Sequence, residues 1–276
     1  MTGRFEGKVA VVTGAASGIG EATARLVVAE GGRVVVADVL AERGKSVAAS
    51  LGDNAIFARC DVTDEASVSA AIDLAVSHFG RLDAVHANAG ILGTAGPISD
   101  TPMVDWDRTM AVLARGVFMT VKHAARVLIA QGEGGAIVMT SSIAGIQGGL
   151  GPHAYSMAKA GIIGLAKSAS AELVRHRIRV NTVAPTAIPT AMTAHLMMGD
   201  PDLVEATAKH LETNATLGRA ASANDIAEAV LYLVSDAGSM ISGQTLAIDA
   251  GLTTSSSTAP RWSGTSMIVA RVSSDD

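Results

Sequence analysis

Tyr155 and Lys159 stand one helical turn apart in a stretch of sequence that could support proton transfer. The stretch, His153–Leu173, has apolar residues recurring at three- and four-residue steps, which predicts a helix with one apolar face. An ammonium beside a phenol favours the phenolate and so lowers the tyrosine pKa from its usual value of about 10. Taken alone, this spacing more often belongs to two amphipathic side chains on a helix, so the other motifs must decide.

A glycine-rich turn, TGAASGIG at 13–20, joins a predicted strand to a predicted helix. Glycines there allow the backbone to approach a pyrophosphate, and the free N–H groups of the following helix attract its charge. The glycine spacing is one residue wider than in the usual dinucleotide fingerprint, and the motif alone could be only a turn. The residues expected to contact a dinucleotide are Gly14, Ser17, Gly18, Ile19 and Gly20.

Asp38 ends the second predicted strand, about twenty residues after the turn begins. A carboxylate at that position can accept hydrogen bonds from both ribose hydroxyls of an adenosine and repels a 2′-phosphate. No basic residue stands at Ala15, Ala16 or Val39 to attract such a phosphate. NAD is therefore the expected cofactor, and the alternative is that Asp38 only caps the next helix.

Polar residues also follow the next three predicted strands. Because the carboxyl ends of parallel strands meet at the sheet edge where open α/β sheets bind ligands, these residues should lie near the glycine turn. A serine hydroxyl there could hydrogen-bond a ligand oxygen that Tyr155 also touches. Each group alone could be ordinary turn or capping chemistry. The groups are Asp61-Val62, Asn88-Ala89-Gly90 and Ser141-Ser142.

Short β-branched runs alternate with alanine-rich amphipathic stretches, the pattern of repeated β-α units. We predict a single-domain α/β fold, a Rossmann-type doubly wound parallel sheet of about seven strands with helices on both faces. The predicted strands are Lys8–Thr13, Arg33–Asp38, Ala55–Cys60, Leu82–Ala87, Ala136–Thr140, Arg179–Ala184 and Thr245–Ile248. The predicted helices are Ile19–Glu30, Glu42–Leu51, Glu65–Phe79, Val104–Ala130, His153–Leu173 and Asp202–Leu211.

Composition excludes several classes of protein. The chain has 276 residues with 49% apolar and 17% charged, too apolar for disorder, and a net charge of −5 that offers no footprint for nucleic acid. The long uncharged stretch Gly134–Ala158 is broken by polar residues and glycines, so we expect no membrane span. A single cysteine, Cys60, which we expect to be a small buried residue, and an N-terminus without an apolar core indicate a cytoplasmic protein. No metal site is expected.

Residues 1–253 are predicted to form the main domain, and the serine- and threonine-rich residues 254–276 to form a loosely held tail. The long connection within 186–217 contains the methionine-rich run Met192–Met198 and is predicted to be a lid. Since methionines adapt to irregular apolar shapes, a bulky hydrophobic ligand is expected. The pocket should be bounded by Ile91, Leu92, Ile143, Gln147, His153 and Met192–Met198, although His153 could instead cap its helix.

Together these motifs resemble the classical short-chain dehydrogenase/reductase family over nearly all of residues 6–253. The resemblance also rests on RVNTVAP at 179–185 and SGQTLAIDAG at 242–251. Stretches at 121–128, 151–173 and 179–192 are similar to the branch of plant xanthoxin and secoisolariciresinol dehydrogenases and to bacterial hydroxysteroid dehydrogenases. The resemblance implies NAD-dependent hydride transfer between a secondary alcohol and a ketone, on a hydrophobic cyclic substrate such as a terpenoid, steroid or alicyclic compound.

The resemblance also assigns roles to residues. Tyr155 would exchange a proton with the substrate oxygen, Ser142 would hold that oxygen, and Lys159 would lower the Tyr155 pKa and bond the nicotinamide ribose. The family further implies a homotetramer built partly through the helices Val117–Ala130 and Tyr155–Leu173. The positions expected to lie against the nicotinamide are Pro185, Ile188 and Thr190.

Two residues depart from the family pattern. Leu113 stands where the family usually has an asparagine that orients a water between Lys159 and solvent, and Thr186 follows Pro185 where a glycine is usual. The first departure puts the proton relay in doubt. It leaves open an alternative function, a catalytically weak NAD-binding sensor of a hydrophobic ligand.

Overall fold

A computed structural model describes residues 3–213 and 215–254 of the chain. The described residues form one parallel sheet of seven strands in the order β3-β2-β1-β4-β5-β6-β7, which confirms the predicted doubly wound Rossmann-type fold. Each predicted strand is present, with bounds shifted by at most a few residues. The strands are β1 (Val9–Thr13), β2 (Arg33–Asp38), β3 (Ala55–Arg59), β4 (Ala84–Ala87), β5 (Gly135–Thr140), β6 (Ile178–Pro185) and β7 (Thr245–Ile248).

Helices cover both faces of this sheet. Glu65–Phe79 and His153–Leu173 begin and end where the apolar periodicity predicts. No described helix is long and apolar enough to cross a membrane. The helices are α1 (Gly18–Ala29), α2 (Ala41–Ser50), α3 (Glu65–Phe79), α4 (Met103–Met110), α5 (Val117–Gln131), α6 (His153–Leu173), α7 (Ala191–Met198), α8 (Val204–Glu212) and α9 (Ala223–Val234).

The strands are apolar on both sides because each side packs against helices. In β1, Val9 and Val11 join the apolar cluster formed with α3, α5 and α6. The alternate residues Ala10 and Val12 join the opposite cluster, formed with α1, α2 and α9. Each fully buried valine stabilises the fold by about 1.5–3 kcal/mol, so the two clusters fix the register and bring the carboxyl ends of the strands together.

The long predicted helix Val104–Ala130 is interrupted. Residues Ala111–Gly116 form a π-helical segment between α4 and α5, and Leu113 within it is completely buried. Gly116 lies so close to the strand end after β3 that an added Cβ would be 2.9 Å from the carbonyl oxygen of Val62. The prediction of one regular helix over Val104–Ala130 is therefore wrong at Ala111–Gly116.

Helix α9 was not predicted from the sequence. Its first turn carries a reciprocal capping box, in which Asp225 N donates to Ser222 Oγ at 3.3 Å and Ser222 N donates to Asp225 Oδ2 at 2.7 Å. Ile226, Val230 and Leu231 are buried in the cluster beside α1. A Ser-x-x-Asp motif before apolar residues at helical spacing is a helix-start signal that was available in the sequence.

The predicted lid contains two helices rather than one. Helix α7 begins at the cap Thr190, whose hydroxyl accepts from Thr193 N, and ends at Gly199, which has a left-handed backbone with φ of 77°. Helix α8 lies about where Asp202–Leu211 was predicted. The predicted tail falls almost entirely on residues 255–276, which lie outside the described residues.

Candidate active site

A cavity of about 650 Å³ opens at the carboxyl edge of the sheet, within the range of ordinary ligand sites. Its wall contains all the predicted site residues except Gly20. They come from six strand ends or loops and from α6, and the structure brings them together in one place. These residues are Gly14, Ser17, Gly18, Ile19, Asp38, Asp61, Val62, Asn88, Ala89, Gly90, Ser142, Tyr155, Lys159, Pro185, Ile188 and Thr190.

The glycine turn occupies one end of the cavity. Gly14 has a φ of 67°, and a Cβ there would lie 2.8 Å from the Cα of Ala89. Gly20 is not a wall residue, which corrects the prediction: a Cβ on it would lie 2.1 Å from the carbonyl oxygen of Gly14, so its role is to let α1 pack beneath the turn. Among the described contacts, the α1 cap Ser17 makes no side-chain capping bond. The first N–H groups of α1 are thus left for an anion such as a pyrophosphate.

Asp38 is buried in the cavity wall with its carboxylate fixed by the backbone. Its Oδ2 accepts from Ala16 N and its Oδ1 from Leu40 N, both at 2.9 Å. The second bond is to the N–H of Leu40, the residue before α2, and among the described contacts α2 has no side-chain cap, so the alternative capping role is not seen. Each carboxylate oxygen keeps a further lone pair, so an oriented acceptor for ribose hydroxyls fits this position. Among the described residues that line the cavity, the one cation is Lys159.

Asn88 ties the glycine turn to the neighbouring strands. Its side-chain nitrogen donates to the carbonyl oxygens of Thr13 at 3.1 Å and Gly14 at 3.4 Å. Its side-chain oxygen accepts from the hydroxyl of Thr140 at 3.1 Å. The Thr13 hydroxyl in turn accepts from the backbone N–H groups of Asn88 and Ala89. The carboxyl ends of β1, β4 and β5 are therefore held together by one hydrogen-bonded chain.

Lys159 is the buried cation of the site. Its Nζ donates to the carbonyl oxygen of Thr140 at 2.7 Å and lies 5.4 Å from the ring centroid of Tyr155. Burial lowers the pKa of Lys159 to about 8. The Ser141 hydroxyl donates to the Lys159 carbonyl oxygen at 2.7 Å, so β5 holds this residue at both its backbone and its side chain.

Tyr155 departs from the sequence expectation in its acidity. Burial raises its pKa, and a hydrogen bond with the Ser142 side chain only partly opposes that effect. The predicted lowering by Lys159 is absent because the ammonium bonds the Thr140 carbonyl rather than the phenol. The Ser142 hydroxyl also accepts from Ala144 N at 3.1 Å. In this geometry Tyr155 is a protonated phenol beside a fixed serine, an arrangement suited to donating a proton to a ligand oxygen.

Leu113 packs close to the lysine. A Cβ added to Gly90 would lie 3.2 Å from Cδ2 of Leu113 and 3.9 Å from Nζ of Lys159. The leucine side chain has no polar atom to hold a water there. The departure from the family's asparagine thus lies near Gly90 and Lys159, in the region of the expected water path.

The far end of the cavity is apolar. Gln147 and His153 do not line it and are exposed, which corrects the predicted boundary, and Leu150, Gly151 and Pro152 lie there instead. A second cavity of about 590 Å³ adjoins this end and includes His195 of the lid. The apolar wall residues, several of them missed by sequence reasoning, are Ile91, Leu92, Val112, Ile143, Leu150, Met192, Leu196, Met197 and Leu252.

Cys60 and Thr140 are wall residues that sequence reasoning did not assign to the site. Cys60 is buried as expected, and burial raises the pKa of its thiol to about 11, so it is unreactive. Both residues lie at the carboxyl end of a predicted strand, and that position could have identified them as site residues. Within the described residues, no group of three or more His, Cys, Asp or Glu side chains could hold a metal ion.

The chain is similar in sequence to known proteins. A family model described as "Enoyl-(Acyl carrier protein) reductase" matches residues 14–253. The chain is 42% identical over 250 residues to "Short-chain dehydrogenase reductase 3a" of Arabidopsis thaliana, covering 90% of this chain and 96% of that one. The chain belongs to the short-chain dehydrogenase/reductase family.

Two further family members bear on the site. The chain is 43% identical over 251 residues to momilactone A synthase of Oryza sativa subsp. japonica, covering 90% of this chain and 91% of that one. The crystal structure of carveol dehydrogenase from Mycobacterium avium in complex with NAD matches with a TM-score of 0.83 and 31% identity, covering 92% of this chain and all of that one. The chain is an oxidoreductase of the short-chain type.

Burial of Lys159 predicts a pH-dependent stability. Between pH 8, its folded pKa, and pH 10.5, its ordinary value, the unfolded chain binds more protons at this site than the folded protein, so the charge costs stability below pH 8 and the cost disappears above pH 10.5. Replacing Lys159 by Met removes this cost. The stability of the variant relative to wild type should fall by up to about 3 kcal/mol as pH rises through that window, measured by urea unfolding without NAD.

Lys167→Met is the matched control, since Lys167 lies on the same helix and is exposed. Its stability relative to wild type should stay constant over the same pH range. A Lys159→Met profile parallel to that of the control would show that burial does not shift the lysine.

Proposed function

We propose that this protein is an NAD-dependent alcohol dehydrogenase or ketone reductase that transfers hydride to or from a secondary carbon of a hydrophobic cyclic substrate. The observation that carries the proposal is the position of Ser142, Tyr155 and Lys159 between a groove suited to a dinucleotide and an apolar cavity. A family member of known structure, named carveol dehydrogenase, was solved in complex with NAD. Its name denotes the oxidation of an alcohol.

The side chains divide the proposed chemistry among them. The Tyr155 phenol donates its proton to the oxygen of a bound ketone, or accepts one from an alcohol, while Ser142 holds the same oxygen. The ammonium of Lys159, close to the ring, stabilises the phenolate as it forms. NAD, when bound, supplies the nicotinamide carbon that takes or gives the hydride. Gly14, Ser17 and Asp38 would hold its pyrophosphate and ribose.

The wall composition supports a neutral, apolar substrate. Of the described lining residues, the charged ones are Asp38, Asp61 and Lys159, and the two carboxylates belong to the proposed nucleotide end. Within residues 3–213 and 215–254, no cation lines the apolar end to pair with a substrate carboxylate or phosphate. Burying an unpaired charge there would cost several kcal/mol, so charged substrates are disfavoured.

Replacing Tyr155 by Phe removes the proton donor and leaves the ring. We expect turnover to fall at least about a hundredfold, the usual effect of losing a general acid, with the dissociation constant of NADH within about twofold of wild type. Turnover is measured by NADH absorbance with panels of terpenoid, steroid and small alicyclic alcohols, and binding by NADH fluorescence. Tyr232→Phe is the control, because the other tyrosine of the chain is partly exposed on α9. Substantial residual turnover in Tyr155→Phe would contradict the assigned role.

Leu113 is the observation that favours a second candidate function, an NAD-binding sensor of a hydrophobic ligand. Its apolar side chain beside Gly90 and Lys159 removes the expected water-holding group. Protons could still reach Tyr155 through another water path, so the enzyme remains the first proposal. Tight NADH binding with no turnover on any of the three panels by the wild-type protein would favour the sensor.

Asp38 determines the proposed choice of NAD over NADP. Its carboxylate, fixed by Ala16 N and Leu40 N, repels a 2′-phosphate, so we expect kcat/KM to favour NAD at least tenfold, which corresponds to about 1.4 kcal/mol. Asp38→Ser should bring the two cofactors within about threefold of each other. Asp53→Asn, which removes the same charge at an exposed position, should keep the wild-type ratio. Equal use of both cofactors by wild type would refute the role of Asp38.

We also propose a homotetramer assembled in part through α5 and α6. Phe118 on α5 and Met157 on α6 are 54% and 58% exposed, so each helix offers a large apolar side chain that such an interface could bury. The single buried thiol is compatible with the proposed cytoplasmic setting.

The tetramer can be tested by charge insertion. Size-exclusion chromatography with light scattering should give a mass near four times 27.9 kDa for wild type. Phe118→Glu should yield smaller species because a carboxylate would be buried between copies. Lys45→Glu, at an exposed position on α2, should leave the mass unchanged. A monomeric wild type would overturn the proposal.

A further inference from the structure

His86 is a buried titratable side chain that the proposed chemistry does not use. It lies in the middle of β4, is 2% exposed, and is paired with Val12 of β1 and Val138 of β5. It does not line the cavity. Burial, and then the charge of Lys159, lower the pKa of His86 to about 3, so the ring is neutral at every pH at which the protein would work.

The surrounding hydrogen bonds determine which ring nitrogen carries the proton. Nε2 of His86 lies 2.8 Å from the hydroxyl oxygen of Thr140. That hydroxyl donates its one hydrogen to Oδ1 of Asn88 at 3.1 Å. The Asn88 amide cannot be reversed, because its nitrogen donates to the carbonyl oxygens of Thr13 and Gly14. Nε2 of His86 must therefore be the donor, and Nδ1 carries the lone pair.

Nδ1 of His86 is buried and has no hydrogen-bond partner among the described residues. A buried acceptor without a partner is a net loss of stability, since it gives up its bond to water and receives nothing. A leucine would fill the same place among Val12 and Val138 without that loss. What the histidine adds over an apolar residue is the N–H that it donates to Thr140.

We propose that His86 is a positioning residue for the dinucleotide turn. By donating to Thr140 it commits the threonine hydrogen to Asn88, and this bond holds Asn88 in the orientation in which its nitrogen donates to the carbonyl oxygens of Thr13 and Gly14. The chain of hydrogen bonds runs in one direction from the core of the sheet to the turn. The inference rests on the proposed binding of NAD at that turn, and it assigns to His86 an effect on cofactor affinity rather than on the chemical step.

The test compares His86→Leu, His86→Gln and Thr140→Val by NADH fluorescence titration. Leucine removes the donor, and valine removes the hydroxyl while keeping the carbonyl that bonds Lys159. Each should raise the dissociation constant of NADH about fivefold, the effect of one neutral hydrogen bond, and the double variant should bind no more weakly than either single variant. Glutamine, whose Nε2 can reach Thr140, should restore affinity to within about twofold.

Two further readouts separate positioning from simple support of the fold. The thermal midpoint of His86→Leu should equal or exceed that of wild type, because the partnerless nitrogen is gone. With an active substrate, kcat at saturating NAD should change less than about twofold while KM for NAD rises. Nitrogen chemical shifts of labelled histidine should show that Nε2 of His86 carries a proton and that Nδ1 carries none.

Three results would overturn the inference: unchanged NADH affinity in Thr140→Val, additive effects in the double variant, or glutamine binding as weakly as leucine. If His86→Leu does not fold, the NADH affinities of Thr140→Val and His86→Gln still test the inference. NADH titration needs no substrate, so a protein that fails every alcohol panel but shows the predicted affinity changes would refute the proposed activity and retain the role of His86.

Discussion

The hydrogen bond from Lys159 to the carbonyl oxygen of Thr140 is the constraint on which the site depends. A buried ammonium must have a partner, and a strand carbonyl at the sheet edge supplies one at 2.7 Å. The Ser141 hydroxyl bonds the backbone of the same lysine, and Gly145 leaves no room for a Cβ against it. These contacts fix the rotation and height of α6 over β5. Tyr155, one turn earlier, is thereby placed beside Ser142.

Thr140 connects the two halves of the site. Its carbonyl holds Lys159 of the proposed catalytic half, and its hydroxyl holds Asn88, which bonds the glycine turn of the proposed cofactor half. Because β1, β4 and β5 are adjacent in the parallel sheet, these bonds span only three neighbouring strand ends. A small displacement of β5 would move both halves together rather than one relative to the other. Such coupling preserves the distance between nucleotide and proton donor, on which hydride transfer would depend.

Most of the fold follows from local patterns in the sequence. β2, β7, α3 and α6 have the predicted bounds, because apolar runs and helical periodicity there agree with the core that they enter. Helix α9 was missed although the capping-box residues Ser222 and Asp225 indicate where it begins. The π-helical segment around Leu113 was also missed, because the stretch Val104–Ala130 was predicted as one regular helix.

The sequence predicted which residues form the site better than it predicted the pKa of Tyr155. Strand-end position and motif spacing identified nearly the whole nucleotide end of the cavity. The places of Gln147 and His153 depend on how a glycine-rich loop folds back, which no short-range rule determines. The direction of the Tyr155 pKa shift depends on how deeply the phenol is buried, a property of the assembled core rather than of the Tyr-x-x-x-Lys spacing.

Leu113 and Lys159 both lie close to Gly90, in a part of the site where burial lowers the pKa of Lys159 to about 8. At pH 7 the lysine remains charged and can stabilise a forming Tyr155 phenolate. Above pH 8 it loses that charge, while the phenol, with its raised pKa, still holds its proton. The ammonium and the phenol therefore coexist on the acid side of pH 8, which is the combination that the proposed proton donation to a ketone requires.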